Sequence, residues 1–175
     1  MPIAMRRQPR SVQAGFSLLE AMVAVLVLSF GLLALAGFQL RSLTDSVGAS
    51  NQNIAVQLAG SMADRIRANP SAGAMSGSPY LTGWTASPTA PSPSCTGASA
   101  SCTATQLAAH DLWEWKRRVA SSLPGGQADV QHRDAMGGLL FLHVAWDEPA
   151  VLHPVEPDPH CPPGKTCLEL VFAMP

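Results

Sequence analysis

Gly15-Phe16-Ser17-Leu18-Leu19-Glu20-Ala21-Met22-Val23-Ala24-Val25-Leu26-Val27-Leu28 opens an apolar run that continues to Leu40. Between Phe16 and Leu40 the only ionisable side chain is Glu20. The run is 25 residues long, and about 20 suffice to cross a bilayer. A carboxylate at the hydrocarbon centre costs roughly 2.5–3.5 kcal/mol on insertion scales, so an acid inside a span points to function. Arg6, Arg7 and Arg10 precede the run, with no acid among the first fifteen residues. The positive-inside rule then puts the N-terminus in the cytoplasm and everything after Leu40 across the membrane. A secretory signal peptide fits less well. Its apolar core is only about 7–15 residues and ends at a small-residue cleavage site, whereas Ala34, Ala36 and Gly37 still lie among leucines.

No proline interrupts the chain from Phe16 until Pro70. Leu43, Val47, Ile54, Leu58, Met62 and Ile66 recur at spacings that form one stripe of an amphipathic helix. Asp45, Gln52, Asp64 and Arg65 fall on other faces, and Asn69-Pro70 supplies a stop. The pattern predicts one helix from about Phe16 to Ala68, roughly 80 Å long at 1.5 Å per residue. The expectation is an apolar half that protrudes and an amphipathic half that forms the spine of a head. Gly31 and Gly37 weaken the apolar half by about 1 kcal/mol each relative to alanine.

Residues 69–103 change character: 17 of these 35 are Gly, Pro or Ser. They read as a long irregular loop, pinned to the body by Tyr80 and Trp84. Thr103 and Gln106 have capping-box spacing, and Ala108, Leu112, Trp115, Val119 and Leu123 make the apolar face of a second helix. Asp111, Glu114, Lys116, Arg117 and Arg118 are expected mostly outside, acids early and bases late as the helix dipole favours. Pro124-Gly125-Gly126 ends this helix. Strands are expected at Ala128–Arg133, at Leu139–Trp146, apolar on both faces and therefore central, and across Leu168, Leu170 and Phe172. The fold class is α+β: a long N-terminal helix packed on a small antiparallel sheet, with one additional helix.

All four cysteines, Cys95, Cys102, Cys161 and Cys167, follow the apolar run. An even count in an exported domain reads as two disulfides. Three pairings exist, and the local one, Cys95 with Cys102 and Cys161 with Cys167, closes two short loops rich in turn residues. A metal reading of His160, Cys161 and Cys167, with His153, is weak because the cysteine spacing is not that of a zinc knuckle. His110, His132 and His143 read as ordinary surface or sheet histidines. The net charge is −1, and residues 16–175 keep eight of the eleven basic groups against all twelve acids. That balance argues against a nucleic-acid surface. No phosphate loop, nucleophile elbow or paired acids is present. Asp147-Glu148, at a strand end before a proline, reads as a turn. The chain is therefore not expected to be an enzyme, and no cofactor or small-molecule substrate is implied.

A short basic leader ending in Gly15, followed by Phe16-Ser17-Leu18-Leu19-Glu20 and an apolar helix, resembles the class III signal of type IV pilins and type II secretion pseudopilins. Leu28-Ser29-Phe30-Gly31-Leu32-Leu33-Ala34-Leu35-Ala36-Gly37 resembles the hydrophobic stretch of the PilV family of minor pilins, the type IV pilus modification proteins. So does Gln106-Leu107-Ala108-Ala109-His110-Asp111-Leu112-Trp113-Glu114-Trp115 after a cysteine pair, with Leu123-Pro124-Gly125-Gly126 and Val144-Ala145-Trp146-Asp147 beyond it. The resemblance implies a pilin-like fold with a leader of residues 1–15, a transmembrane and polymerisation helix of residues 16–40, and a periplasmic head of residues 41–175 that includes the 69–103 loop. It implies cleavage between Gly15 and Phe16 by prepilin peptidase and N-methylation of Phe16. It also implies residence in the inner membrane before passage into a pilus fibre at the cell surface. The implied partners are other minor pilins, the major pilin and a PilY-type adhesin. A type II secretion minor pseudopilin shares the same start signal and is the alternative. In either system Glu20 has an assembly role: at one helical turn from Phe16, its charge is relieved by the Phe16 amine of its own chain or of a neighbour. An unpaired charge in hydrocarbon would cost several kcal/mol.

Overall fold

The computed structural model describes residues 15–74, 77–85, 89–92, 94–97, 100–132, 138–148 and 158–173. The basic leader before Gly15, and His153, lie outside the described residues. Three helices, α1 (Leu18–Ala68), α2 (Pro70–Gly73) and α3 (Ala104–Ser122), precede three strands, β1 (Gln127–His132), β2 (Leu139–Trp146) and β3 (Thr166–Ala173). The chain divides into two compact units, Met1–Leu43 and Thr44–Pro175.

α1 ends at the residue expected from Asn69-Pro70. Pro70 also starts the one-turn helix α2, where its missing N–H costs nothing in the first turn. The buried stripe of α1 differs from the expected one. It runs through Asn51, Ala55, Ala59, Met62, Ala63 and Ile66, while Leu43 and Val47 are exposed and Ile54 and Leu58 sit half-buried at its margin. The row Ala55, Ala59 and Ala63 is fully buried because small side chains suit a close contact, and a hydropathy stripe weights the large ones instead.

α3 carries the capping box read from the sequence: Thr103 Oγ1 accepts from Gln106 N–H at 3.3 Å, and Thr103 N–H donates to Gln106 Oε1 at 2.9 Å. Ala108, Leu112, Trp115, Val119 and Leu123 are all buried, as expected. Two charged side chains expected outside are buried as well, Asp111 and Lys116. The terminal turns of α3 hold neither acids nor bases, so the dipole does not account for the order of its charges. The turn after α3 is tight. Leu123 N–H donates to Val119 O, Gly126 N–H donates to Leu123 O, and a Cβ on Gly126 would lie 2.2 Å from Val119 O, so only glycine fits there.

The sheet is antiparallel in the order β1-β2-β3, with β2 central. β2 has the bounds expected, β1 begins one residue earlier than expected and β3 extends a residue or two beyond the alternating core positions, while Arg133 lies outside the described residues. Leu140, Leu142, Val144 and Trp146 of β2 enter one core with Ala128 and Val130 of β1 and Phe172 of β3. The same core contains Met62 and Ile66 of α1 and Trp115 and Val119 of α3. Trp115 donates its indole N–H to Leu58 O at 2.9 Å, which gives a buried ring its polar partner. The other face of β2, with Phe141, His143 and Ala145, is buried too, apart from the main core. Thr82 forms an antiparallel bridge with Val130, so the loop before α3 adds a short edge to β1.

Candidate functional site

The first unit has one distinguishing physical property. Every large apolar side chain from Phe16 to Leu40 is more than half exposed, Phe16 at 88% and Val23 at 53%. Full burial of each such side chain is worth about 1.5–3 kcal/mol, so the exposed stretch leaves tens of kcal/mol of burial unrealised. A bilayer or a set of equivalent helices can supply that burial. By length and composition the helix is able to cross a membrane.

Glu20 stands in the first turn of α1, among Ser17, Leu19, Val23 and Ala24. The helical hydrogen bonds begin where Ala21 N–H donates to Ser17 O at 3.2 Å. Phe16 therefore precedes the helix, whose first residue is Leu18. Ser17, whose carbonyl accepts that first helical hydrogen bond, stands between Phe16 and Leu18. A Cβ on Gly15 would meet nothing within 4 Å among the described residues. Ser29 bonds back to Val25 O at 2.7 Å, which satisfies its hydroxyl inside the apolar stretch.

In the second unit the disulfides join Cys95 to Cys102 and Cys161 to Cys167, the two short-loop pairs. Cys161 and Cys167 are thus bonded to each other, and among the described residues no group of three His, Cys, Asp or Glu is arranged to hold a metal ion. The second disulfide sits beside a staple that ties strand ends to the α3 turn. Lys165 Nζ donates to Asp147 Oδ1 at 2.5 Å and to Gly125 O at 2.8 Å, Asp147 N–H donates to Pro124 O, and Thr166 Oγ1 donates to Glu148 Oε2 at 2.7 Å. Asp147 and Glu148 thus tie the end of β2 to the α3 turn and to β3, while the turn expected to follow them lies outside the described residues.

Two polar clusters escape periodicity analysis. In the first, Arg65 of α1 donates to Asp111 Oδ1 at 2.9 Å and to Glu114 Oε2 at 2.7 Å on α3. Tyr80 Oη donates to Asp111 Oδ2 at 2.9 Å, and Asn69 Nδ2 donates to Tyr80 Oη and to Ala104 O. Arg65 holds the Glu114 carboxyl below its ordinary range, and burial pushes the Tyr80 phenol well above its own. The second is a row across the sheet: Asp129 of β1, His143 of β2 and Glu169 of β3 are direct cross-strand neighbours. His143 Nε2 lies 2.9 Å from Glu169 Oε2, and its Nδ1 lies 3.6 Å from Asp129 Oδ1. His143 was legible as a histidine within an apolar strand; its partners were not. The Lys116–Arg118 run forms no joint patch: Lys116 donates to Gly83 O, Arg117 stacks on Trp113, and Arg118 pairs with Glu114.

Two family models match the chain. Residues 10–36 match the prokaryotic N-terminal methylation motif, and residues 37–113 match type IV pilin Tt1218. The two matches support a type IV pilin. The two matches abut on α1, the first covering most of the exposed apolar stretch with Glu20 and the second the rest of the helix. The motif and the apolar N-terminal helix fit an inner-membrane anchored pilin that is later assembled into a pilus, and the matches imply a pilin or pseudopilin processed by prepilin peptidase. Residues 114–175 lie outside both matches. No curated protein and no solved structure matches the chain significantly.

Proposed function

We propose that the chain is a minor pilin, cut between Gly15 and Phe16 by prepilin peptidase, methylated on Phe16, and used to initiate type IV pilus assembly in a tip complex. Within this reading residues 1–15 are the leader, 16–40 the membrane and polymerisation helix, and 41–175 the periplasmic head. Its neighbours are other minor pilins, the major pilin and a PilY-type adhesin, and the chain resembles the PilV family. It acts as a structural subunit and a substrate of processing enzymes, not as a catalyst. The observation that carries the reading is an N-terminal methylation motif continuous with a type IV pilin match on one helix.

Magnitudes give Glu20 its role. An acid in the first turn gains about 0.3–1 kcal/mol from the helix dipole. Insertion costs roughly 2.5–3.5 kcal/mol, so the dipole alone leaves most of the cost standing. A cation must supply the rest. The free amine of Phe16, from the chain itself or from a neighbouring subunit, is that cation, and the family resemblance favours the neighbour. Glu20 then fixes the axial register of one subunit against the next, and its cost in the bilayer favours transfer into the fibre.

Replacing Gly15 by valine is expected to leave an unprocessed precursor that is absent from sheared pili. A mature-sized band from Gly15→Val would sink the cleavage assignment. The shared start signal keeps a type II secretion pseudopilin as the second reading. Crosslinking from a cysteine placed near Phe16 in the membrane form separates the two by recovering either pilins or pseudopilins.

A further inference from the structure

The second face of the sheet carries an arrangement that assembly through α1 does not use. Asp129 is fully buried and His143 is 2% exposed, yet both are ionisable. They stand in one cross-strand row with Glu169, whose side chain is 38% exposed. The imidazole thus bridges two carboxylates, one sealed and one open to solvent. The 3.6 Å gap to Asp129 is too long for a hydrogen bond, so that side of the bridge acts through charge. Gln131 Nε2 donates to Asp129 Oδ2 at 2.8 Å.

Two separate chain segments cover this row. Trp84, from the loop before α3, lies with its ring centroid 5.8 Å from that of His143, inside the range over which an aromatic face attracts a cation. His160, from the second disulfide loop, stacks on His143 at 6.5 Å with 20° between the planes, and Asp158 accepts from the His160 N–H. The Trp84 segment is tied down by the Thr82–Val130 bridge and by Lys116 of α3, whose ammonium donates to Gly83 O.

We propose that Asp129, His143 and Glu169 form a proton-operated latch, which holds the Trp84 segment on the sheet while His143 is cationic and releases it when His143 is neutral. With the proton present, one cation serves two carboxylates and attracts the indole. With the proton lost, the sealed Asp129 carboxylate loses one of the groups that compensate its charge, which disfavours the closed arrangement. Lys116 is another cation near Asp129 among the described residues, and burial lowers it to about 8, so it too weakens as pH rises. Burial pulls His143 down, but Asp129 and Glu169 outweigh it and raise the group above its ordinary value of 6.5. For a base whose folded value is raised, the stabilisation is complete below the unfolded value and is lost as pH climbs through the folded one.

The test is amide hydrogen exchange at Thr82, whose N–H donates to Val130 O, in the full chain in detergent, corrected for intrinsic exchange. Protection should fall as pH rises above the ordinary histidine range. The total loss should be about tenfold for each unit by which the closed state raises His143. His143→Gln should remove this step. Glu169→Gln, at a partly open site where folding is little at risk, should move the step to lower pH and shrink it. The Glu169 variant also separates His143 from Lys116, whose charge partner is Asp129. A Thr82 profile that is flat with pH, or one that Glu169→Gln leaves unmoved, overturns the latch.

Discussion

Replacing Tyr80 by phenylalanine tests whether the cluster between α1, α3 and the loop is a working unit. Tyr80 is fully buried, donates to Asp111 and accepts from Asn69, while Asp111 also receives Arg65. Phenylalanine keeps the ring and its packing but removes the donor from one oxygen of a carboxylate that is itself buried. A hydrogen bond to a charged group contributes about 1.5–3 kcal/mol, and a neutral one about 0.5–1.5. Asn69 keeps Ala104 O as an acceptor, so its share of the loss is small. The expected cost is about 2–3 kcal/mol, a sizeable fraction of the 5–15 kcal/mol of a typical domain. At about 4 °C per kcal/mol for a domain of this size, the melting temperature should drop by roughly 8–12 °C. The assay is thermal unfolding of the full chain in detergent, followed by near-UV circular dichroism. Asp111→Asn completes a double-mutant cycle, with a coupling of about 1–2 kcal/mol to Tyr80→Phe. A Tyr80→Phe protein within about 0.5 kcal/mol of the parent, or two strictly additive substitutions, would show that the cluster forms without stabilising anything.

Ala59, fully buried in α1, should reject a larger side chain: Ala59→Leu is expected to cost about 1–3 kcal/mol by overpacking. Val56→Ala, at an exposed position one turn away, should stay within about 0.5 kcal/mol in the same melting assay. Replacing Cys161 and Cys167 together by serine should cost about 2–2.5 kcal/mol in the chain-entropy account of a loop this short. A loss below about 0.5 kcal/mol would mean that the Lys165 staple holds the loop unaided.

Local patterns carried much of this fold. The end of α1, the capping box of α3 and both limits of β2 follow from prolines, cap residues and alternation, each decided within a few residues. What the patterns hid depends on partners distant in the chain. Arg65 meets Asp111 across 46 positions, so no window of sequence reveals that Asp111 turns inward. Lys116 looks like part of a solvated basic run, yet it is spent on a loop carbonyl 33 positions earlier. His143 reads as an unremarkable strand histidine until register places one acid on either side of it. The same limit explains the stripe of α1. Periodicity favoured Leu43 and Val47, whereas contact distance selected alanines, which hydropathy scores weakly. At the other end of the chain the signal was legible because it is composition itself: an acid alone in an apolar run needs no register to be noticed.

The two stretches of α1 answer different demands with one backbone geometry. From Phe16 to Leu40 the helix presents large apolar groups on all sides and buries none of them, which suits a surrounding medium that is apolar in every direction. From Asn51 to Ile66 it narrows to a row of alanines on one side, which suits a single close neighbour. Exchanging the two patterns would fail twice. Leucines in the row would force the core apart, and alanines in the first stretch would give up most of the apolar area that favours insertion, at about 25 cal/mol per Å². The core of the second unit draws nothing from before Asn51 among the residues of α1. A subunit whose helix exchanges lipid for protein neighbours, as proposed, would need its core residues to lie beyond that stretch, and the buried row from Asn51 to Ile66 does.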